Sequence, residues 1–371
     1  MTPSCPVTIV RRGVAGQGGV PIFLPRRPPK SMSLDAVTVA ETRRKGEVEP
    51  LVRLAGPDMA AVDALIVERM QSQVPVIPML ADHLVAAGGK RLRPLLTIAA
   101  ARAAGASGPI EAPVRLAAAV EFIHTATLLH DDVVDSSDLR RGKVAAHLIW
   151  GAPSSVLVGD YLFARAFELM VETGRMRALG ILATASSVIS EGEVLQLTRA
   201  HDLNLDQDTY LRIISAKTAE LFAAAAEAGA VGVDADDAAV AALRAYGLNL
   251  GLAFQLADDA LDYGGQSEVL GKNAGDDFRE GKVTLPLLLA AARTRGREDA
   301  FWDRTINQGR RTEDDFRRAR ELIVGSGAVA ATLDLAWDYA DLARDALAPL
   351  PQGDWRTALE RLADFAVSRV A

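Results

Sequence analysis

The stretch LLHDDVVDSSDLRRG, from Leu128 to Gly142, places a cluster of acidic side chains at the end of an apolar run. Asp131, Asp132 and Asp135 fall within five positions of one another. On a helix Asp131 and Asp135 are i and i+4, so they share one face with their Cβ atoms about 6 Å apart. Like charges that close repel each other unless a cation lies between them. Carboxylates suit Mg²⁺, which binds through one or two of them together with water and substrate phosphates.

The same acidic pattern recurs in LADDALD, where Asp258, Asp259 and Asp262 repeat the spacing of the first cluster. A single acidic pair of this kind is common on solvated helix faces and alone would indicate little. Both copies, however, follow apolar runs, EFIHTATLL and GLAFQLA, and burying a carboxylate is costly unless something pairs with it. Two such helix ends facing one cavity could hold a cluster of Mg²⁺ ions and a diphosphate.

Basic side chains flank the first acidic cluster in the sequence. The segment GGKRLRP places Lys90 and Arg93 at the start of a predicted helix, where the helix macrodipole disfavours cations. They therefore indicate an anion site, and a diphosphate fits both the helix end and the cations. After the cluster, Arg140 and Arg141 are adjacent, so their diverging side chains can serve two different diphosphates.

Two further regions carry lysines that the helical pattern alone does not explain. Lys217 and Thr218 lie in the middle of a predicted helix among apolar neighbours, and a buried lysine needs a partner such as a diphosphate oxygen. The Gly-rich loop 264–282 carries Lys272 and Lys282 directly after the second acidic cluster. A solvated surface loop would explain these charges but not their position, so we expect a mobile lid over a charged cavity.

The composition indicates a helical protein and argues against several classes. Of 371 residues 49% are apolar and 5% aromatic; alanine is abundant and strand-like runs are rare, which favours an all-α fold. A net charge of −7 argues against nucleic-acid binding. The single cysteine, Cys5, permits no internal disulfide and fits a reducing compartment. No unbroken apolar run reaches the roughly 18 residues of a membrane span.

The first 50 residues differ from the rest of the chain. Up to Ser31 they contain five basic residues and no acidic one, with proline and glycine scattered among them. Such a segment is not expected to pack, and it lacks the apolar core of a secretory signal. We expect disorder or a true start at Met32, in preference to a transit peptide, followed by one domain over residues 51–371.

Six motifs carry a resemblance to a known family. In chain order they are GGKRLRP, LLHDDVVDSSDLRRG, GEVLQL, KTAELF, FQLADDALD and GKNAGDDFREGKVTLPL. Each alone is moderately specific, whereas all six in this order are very specific, and the match covers about residues 55–371. The chain resembles the trans-isoprenyl diphosphate synthases, of the long-chain type that makes polyprenyl diphosphates for quinone side chains.

The resemblance implies an isoprenoid synthase-type helical bundle around a deep central cavity, in a chain that pairs as a homodimer. It implies a prenyltransferase that condenses isopentenyl diphosphate sequentially onto an allylic diphosphate, farnesyl or geranylgeranyl diphosphate. The expected product is an all-trans polyprenyl diphosphate of about C40 to C50 for the ubiquinone side chain, released to the membrane. The expected location is the cytoplasm, with membrane association as an alternative.

The resemblance also implies a role for each candidate residue, with about three Mg²⁺ ions bridging the two Asp motifs to the allylic diphosphate. Two ions would be bound by Asp131, Asp132 and Asp135, and the third by Asp258, Asp259 and Asp262. The allylic diphosphate would be held by Arg140, Lys217, Lys272 and Lys282. Isopentenyl diphosphate would be held by Lys90, Arg93, His124 and Arg141. The developing carbocation would pass Thr218 and Gln255.

Product length is expected to depend on side chains one turn before the first Asp motif. Thr127 is i−4 from Asp131, and Ala126 is the fifth residue upstream, a position that affects chain length in the family. Both are small, which favours an open channel, although small residues also serve close helix packing. A C15 to C20 synthase or a non-catalytic subunit of a heteromeric synthase is the alternative. A terpene cyclase or a Mg²⁺-dependent diphosphate hydrolase is less favoured.

Overall fold

The computed structural model describes residues 45–86, 91–140, 142–264 and 275–369, and within them almost every regular element is helical. One hairpin pairs β1 (Leu139–Arg140) antiparallel with β2 (Lys143–Val144). The helices are α1 (Glu49–Arg69), α2 (Val76–Ala86), α3 (Leu92–Ala103), α4 (Glu111–Val134), α5 (Ala146–Trp150), α6 (Ala152–Glu172), α7 (Met176–Thr198), α8 (Gln207–Ile214), α9 (Glu220–Val231), α10 (Asp237–Gly264), α11 (Asp276–Glu280), α12 (Leu285–Arg293), α13 (Asp299–Trp302), α14 (Glu313–Gly325), α15 (Ala328–Ala346) and α16 (Asp354–Ser368). The prediction of an all-α fold is confirmed, whereas the predicted domain boundary at residue 50 stays a prediction.

The two long helices that carry the acidic motifs, α4 and α10, pack in the core of the protein. α4 packs along α6 and against α3, while α10 packs along α9 and α15. Alanine and leucine dominate their buried faces, because alanine forms helices readily and its small side chain lets helix axes approach. The first Asp motif lies at the carboxyl end of α4 and the second at the carboxyl end of α10.

α8 and α9 form one continuous helical rod, interrupted by the π-helical turn Ser215–Ala219. Two glycines on neighbouring helices press against this turn. A Cβ atom on Gly251 of α10 would lie 2.5 Å from the Ala219 Cα, and one on Gly192 of α7 would lie 2.7 Å from the Ala216 Cβ. Only glycine allows α7 and α10 to approach the π turn this closely.

α4 ends earlier than the sequence pattern predicted. The sequence pattern predicts one helix from about Ala112 to Asp138, whereas α4 ends at Val134 and Ser136 has a left-handed φ of 52°. The spacing argument survives, since the Asp135 amide donates to the Asp131 carbonyl at 2.8 Å. The chain then turns back through the β hairpin, which carries Arg140 over the motif.

By length and composition alone, two helices would be long and apolar enough to cross a membrane: α4 and α7. The prediction of no membrane span considered only unbroken apolar runs and did not anticipate this. In α4 more than half of the apolar window is buried (56%), as in a core helix, whereas in α7 only 28% is buried. Exposed apolar side chains of α7 lie near its ends, at Met176, Val194 and Leu197, whereas its middle exposes the polar side chains of Thr184 and Ser187.

Candidate active site

The first Asp motif lies among charged groups from three elements. Burial, together with the nearby carboxylates of Glu193 and Asp135, raises the pKa of Asp131 to about 6, against the opposing charge of Lys217. These groups come from α4, α7 and the π turn, so the fold brings them within electrostatic reach. A cation among them would relieve the repulsion and lower the pKa of the carboxylates.

Asp132 has a different environment from its neighbours in the motif. It is fully buried (0% exposed), and its Oδ1 accepts hydrogen bonds from Arg140, from Nε at 2.7 Å and from Nη2. Its Oδ2 is buried without a hydrogen-bond partner among the described residues. The geometry therefore gives Asp132 the task of holding the Arg140 guanidinium, and its metal-binding role stays a prediction.

Two predicted diphosphate-binding lysines are paired with carboxylates. Lys282 Nζ lies 2.9 Å from Asp135 Oδ2 and 2.6 Å from Glu280 Oε2. Burial alone would lower the pKa of Lys282, but the carboxylates of Glu280 and Asp135 outweigh burial and raise it. Lys217 Nζ donates to Glu193 Oε2 at 2.8 Å. The predicted need of this buried lysine for a partner is therefore met in the structure by a glutamate.

The second Asp motif also divides its three carboxylates among different partners. Asp258 is the most exposed of them, and its Oδ1 lies 2.8 Å from Nη2 of Arg369. Asp262 Oδ1 accepts from the Gly275 amide at 3.1 Å, while its Oδ2 is buried without a hydrogen-bond partner among the described residues. Burial, and next the charge of Asp277, raise the pKa of Asp262.

Asp259 lies at the centre of a network of neutral side chains. It is 2% exposed, and burial, followed by the charge of Asp277, raises its pKa. Tyr210 donates to its Oδ2 at 2.5 Å, and Gln255 Nε2 donates to its Oδ1 at 2.7 Å. Thr218 Oγ1 in turn donates to Gln255 Oε1 at 2.9 Å. The predicted cation-path residues Thr218 and Gln255 are therefore in direct contact.

The predicted isopentenyl diphosphate residues Arg93 and His124 also lie together. Arg93 Nη1 is 3.1 Å from His124 Nε2, and the guanidinium lies 4.4 Å from the centre of the Phe222 ring. Phe222 packs against Phe254 at 5.5 Å between ring centres, and the Arg369 guanidinium lies 3.8 Å from the centre of the Phe254 ring. A stack of two arginines and two aromatic rings thus connects this group to the second Asp motif.

The two predicted chain-length residues differ in their surroundings. Ala126 is fully buried, and a Cβ atom on Gly159 of α6 would lie 3.3 Å from its carbonyl oxygen. Thr127 is partly buried, and its hydroxyl donates to the His124 carbonyl at 2.8 Å. The close approach of α6 favours the packing explanation for Ala126, while Thr127 keeps both explanations open.

Three predicted site residues, Lys90, Arg141 and Lys272, lie outside the described residues, as does most of the predicted lid. Three others escaped the sequence prediction as site residues: Glu193, Tyr210 and Arg369. Glu193 belongs to the GEVLQL motif, which could have identified it. Arg369 and Tyr210 belong to no motif, and only long-range contacts with Asp258 and Asp259 identify them.

The acidic side chains fit Mg²⁺ bound jointly with a substrate. In the described parts of the chain no three acidic, histidine or cysteine side chains converge into a complete metal cage. Mg²⁺ does not require one, since it binds through one or two carboxylates and completes its shell with water and phosphate oxygens. Burial raises the pKa of Asp131, and the buried Oδ2 of Asp262 has no hydrogen-bond partner among the described residues, so a bound cation would stabilise both carboxylates.

The chain matches known proteins over most of its length. The Polyprenyl synthetase family model matches residues 74–323. The chain belongs to this family. It is 44% identical over 322 residues to the octaprenyl diphosphate synthase of Escherichia coli K12, covering 87% of this chain and 99% of that one.

Solved structures show the same fold. A polyprenyl synthase from Caulobacter crescentus CB15, complexed with calcium and isoprenyl diphosphate, is 72% identical with a TM-score of 0.87 and covers 89% of this chain and 100% of its own. A decaprenyl diphosphate synthase from Rhodobacter capsulatus is 54% identical with a TM-score of 0.83, over 88% and 100%. The predicted isoprenoid synthase fold is confirmed, and so is the prediction of a prenyltransferase that makes long-chain all-trans polyprenyl diphosphates. Members of the family use Mg²⁺ and act on isopentenyl and allylic diphosphates.

Proposed function

We propose that the chain extends farnesyl or geranylgeranyl diphosphate with successive isopentenyl units to an all-trans product of about C40 to C50, the range of its octaprenyl and decaprenyl relatives. One observation supports the assignment of roles most directly. Asp135, which is proposed to bind Mg²⁺, is paired with Lys282, a cation proposed to bind diphosphate, and Asp258 is paired with a further cation, Arg369.

Substrate binding would exchange these partners. About three Mg²⁺ ions, held by the Asp131 and Asp258 motifs, would supply the positive charge that stabilises the departing diphosphate. Lys217 and Lys282 would then leave their carboxylates and donate to diphosphate oxygens, and Arg140, already anchored by Asp132, would do so in place. Such donors stabilise charge as it develops during cleavage of the allylic C–O bond.

The second substrate would lie on the opposite side of the allylic group. Arg93 and His124 would hold isopentenyl diphosphate, together with Lys90 and Arg141, so that its double bond attacks the allylic carbon. Thr218 and Gln255 would face the carbocation with their oxygen atoms. Loss of a proton then forms the trans double bond, with the displaced diphosphate as the base. Water must be excluded during this step, which is the task of the predicted lid.

A homodimer would cover the apolar surface of α6 and α7. Leu157 and Val171 on α6 are 66% and 63% exposed, and Val194 on α7 is 61% exposed. Exposed apolar surface can mark a protein interface, and a second copy of the chain is the partner that the family resemblance suggests. We place the enzyme in the cytoplasm, with delivery of its product to a membrane for the ubiquinone side chain.

Product analysis tests this function. The purified chain is incubated with Mg²⁺, labelled isopentenyl diphosphate and farnesyl diphosphate, and the dephosphorylated products are separated by length. We expect one dominant alcohol of about C40 to C50, the length of the relatives' products. Release of inorganic phosphate or diphosphate without chain growth would favour a hydrolase, and absence of any turnover would favour a non-catalytic subunit.

A variant of the channel floor sharpens the length assignment. Thr127→Phe places an aromatic ring one helical turn below Asp131 and should shorten the main product to about C20 while condensation continues, because the growing chain meets the ring. Ala126→Tyr is the second variant, although the full burial of Ala126 makes it the less well tolerated. Unchanged length in Thr127→Phe would place the floor elsewhere.

A further inference from the structure

Tyr210 is a buried tyrosine whose hydroxyl points at an acidic motif. It lies in α8, is 2% exposed, and donates its hydroxyl hydrogen to Asp259 Oδ2 at 2.5 Å. Asp259 is equally buried, at 2%. A buried carboxylate with neutral partners is costly to maintain, so the contact serves more than packing.

The contact is one end of a linear chain of four side chains. Asp259 Oδ1 accepts from Gln255 Nε2 at 2.7 Å, and Gln255 Oε1 accepts from Thr218 Oγ1 at 2.9 Å. The Tyr210 hydroxyl and the Gln255 NH₂ group both donate to Asp259, so the Gln255 carbonyl is directed towards Thr218, whose hydroxyl donates to it. Both oxygens of Asp259 are already engaged, one by Tyr210 and one by Gln255.

The four side chains come from only two segments of the fold. Tyr210 and Thr218 lie eight positions apart on the rod formed by α8, the π turn and α9, while Gln255 and Asp259 are i and i+4 on α10. The rod begins at a capped end, where Asp206 Oδ1 accepts from the Thr209 amide at 2.7 Å. Gly251, one turn before Gln255, allows α10 to contact the π turn. The network therefore links two rigid elements at both of its ends.

We propose that Tyr210 is a positioning residue for prenyl transfer: its hydroxyl fixes Asp259, which fixes the Gln255 amide so that the carbonyl oxygen and the Thr218 hydroxyl face the allylic carbocation. The inference rests on the proposed roles of Thr218 and Gln255. It assigns Asp259 to this network, although the resemblance assigned Asp259 to metal binding. Oxygen atoms held in place before the reaction stabilise developing positive charge without reorganising.

Tyr210→Phe removes the hydroxyl and keeps the ring. We expect kcat to fall about tenfold, with the KM values of both substrates and the half-saturating Mg²⁺ concentration within about twofold of wild type, because no substrate or metal contact is lost. The matched control is Tyr246→Phe: Tyr246 is also buried, lies on α10 with Gln255 and Asp259, and its hydroxyl donates to the Leu359 carbonyl at 2.7 Å, away from the acidic motifs. It should lower the melting temperature and leave kcat unchanged.

A double-mutant cycle tests the route through Gln255. If Tyr210 acts through that amide, Tyr210→Phe combined with Gln255→Leu will be no slower than Gln255→Leu alone. Wild-type kcat in Tyr210→Phe would overturn the proposal, and so would a raised Mg²⁺ requirement with additive kcat losses, which would mark Asp259 as a metal ligand. The proposed function fails if the wild-type enzyme forms no elongated product. The positioning role of Tyr210 fails if wild-type enzyme forms product and Tyr210→Phe forms it with the same kcat, so the two outcomes can be distinguished.

Discussion

The two Asp motifs share one spacing but satisfy their central carboxylate in opposite ways. Asp132 and Asp259 occupy the same place in DDxxD, and both are buried, at 0% and 2% exposure. Asp132 is held by the cation Arg140, whereas Asp259 is held by the neutral side chains of Tyr210 and Gln255. The first motif is thus built around an ion pair and the second around a hydrogen-bond network, so equal spacing does not imply equal electrostatics.

The first carboxylates of the two motifs, Asp131 and Asp258, should contribute alike to turnover, even though the central carboxylates have different partners. Asp131→Asn and Asp258→Asn are both expected to lower turnover by about a thousandfold or more, because each removes negative charge that holds Mg²⁺ for diphosphate departure. Both variants should fold, as measured by circular dichroism. The control is Asp237→Asn, an exposed carboxylate at the start of α10 that pairs with Arg177 at 2.7 Å and should leave turnover unchanged. Near wild-type turnover in either motif variant would contradict the metal assignment.

Substitutions of the two central carboxylates should differ in their effect on the stability of the fold. Asp132→Asn leaves the largely buried Arg140 without its counter-ion and should lower the free energy of unfolding by about 3 kcal/mol. Asp259→Asn replaces a buried carboxyl group that has no cationic partner among the described residues by a neutral amide of similar shape, so its cost should stay within about 1 kcal/mol. Urea unfolding in EDTA measures both. Equal losses would mean that the charged and the neutral arrangement stabilise the fold alike.

Arg369 offers a further test of the second motif. Arg369→Ala removes the cation beside Asp258 and the guanidinium stacked on Phe254, and we expect kcat/KM for isopentenyl diphosphate to fall about tenfold. Arg361→Ala is the control, since Arg361 lies on α16, the helix that Arg369 follows, and forms an exposed pair with Glu47 at 3.5 Å. A loss in both variants would point to the stability of α16 rather than to the site.

The smallest expected effect is a pH dependence of the metal-free fold. Burial raises the pKa values of Asp131, Asp259 and Asp262, so the folded chain retains protons that the unfolded chain has already released. Stability therefore falls as pH rises from the ordinary aspartate pKa of 3.8 through the raised values, to about 6 for Asp131. In EDTA the free energy of unfolding should drop by about 1 kcal/mol or more between pH 5 and pH 8. Asp259→Asn should make the free energy of unfolding less dependent on pH. A free energy of unfolding that rises between pH 5 and pH 8 would contradict the prediction.

The sequence predicted the helices and the motifs well, because both depend on local spacing. The apolar periodicity before Asp131 and Asp258 predicted α4 and α10, and the mutual distances of the aspartates followed from helix geometry. The partners of these carboxylates could not be read in the same way. Arg369 meets Asp258 from 111 positions away, and Tyr210 meets Asp259 from 49. Which oxygen accepts from which donor depends on tertiary packing, and no local pattern encodes it.

The π turn at Ser215–Ala219 determines where two neighbouring side chains, those of Lys217 and Thr218, can point. In an α-helix successive side chains diverge by about 100°, so neighbours rarely serve one site. Here the Glu220 amide reaches back to the Ser215 carbonyl, which adds one residue to the turn and places Lys217 against Glu193 while Thr218 meets Gln255. The inserted residue acts as a phase shift between α8 and α9. Deleting one residue of the turn, for example Ala216, would rotate every later side chain of the rod. Lys217, which is proposed to bind diphosphate, and Thr218, which is proposed to face the carbocation, would then no longer point into one site, although the composition and hydropathy of the segment would be almost unchanged.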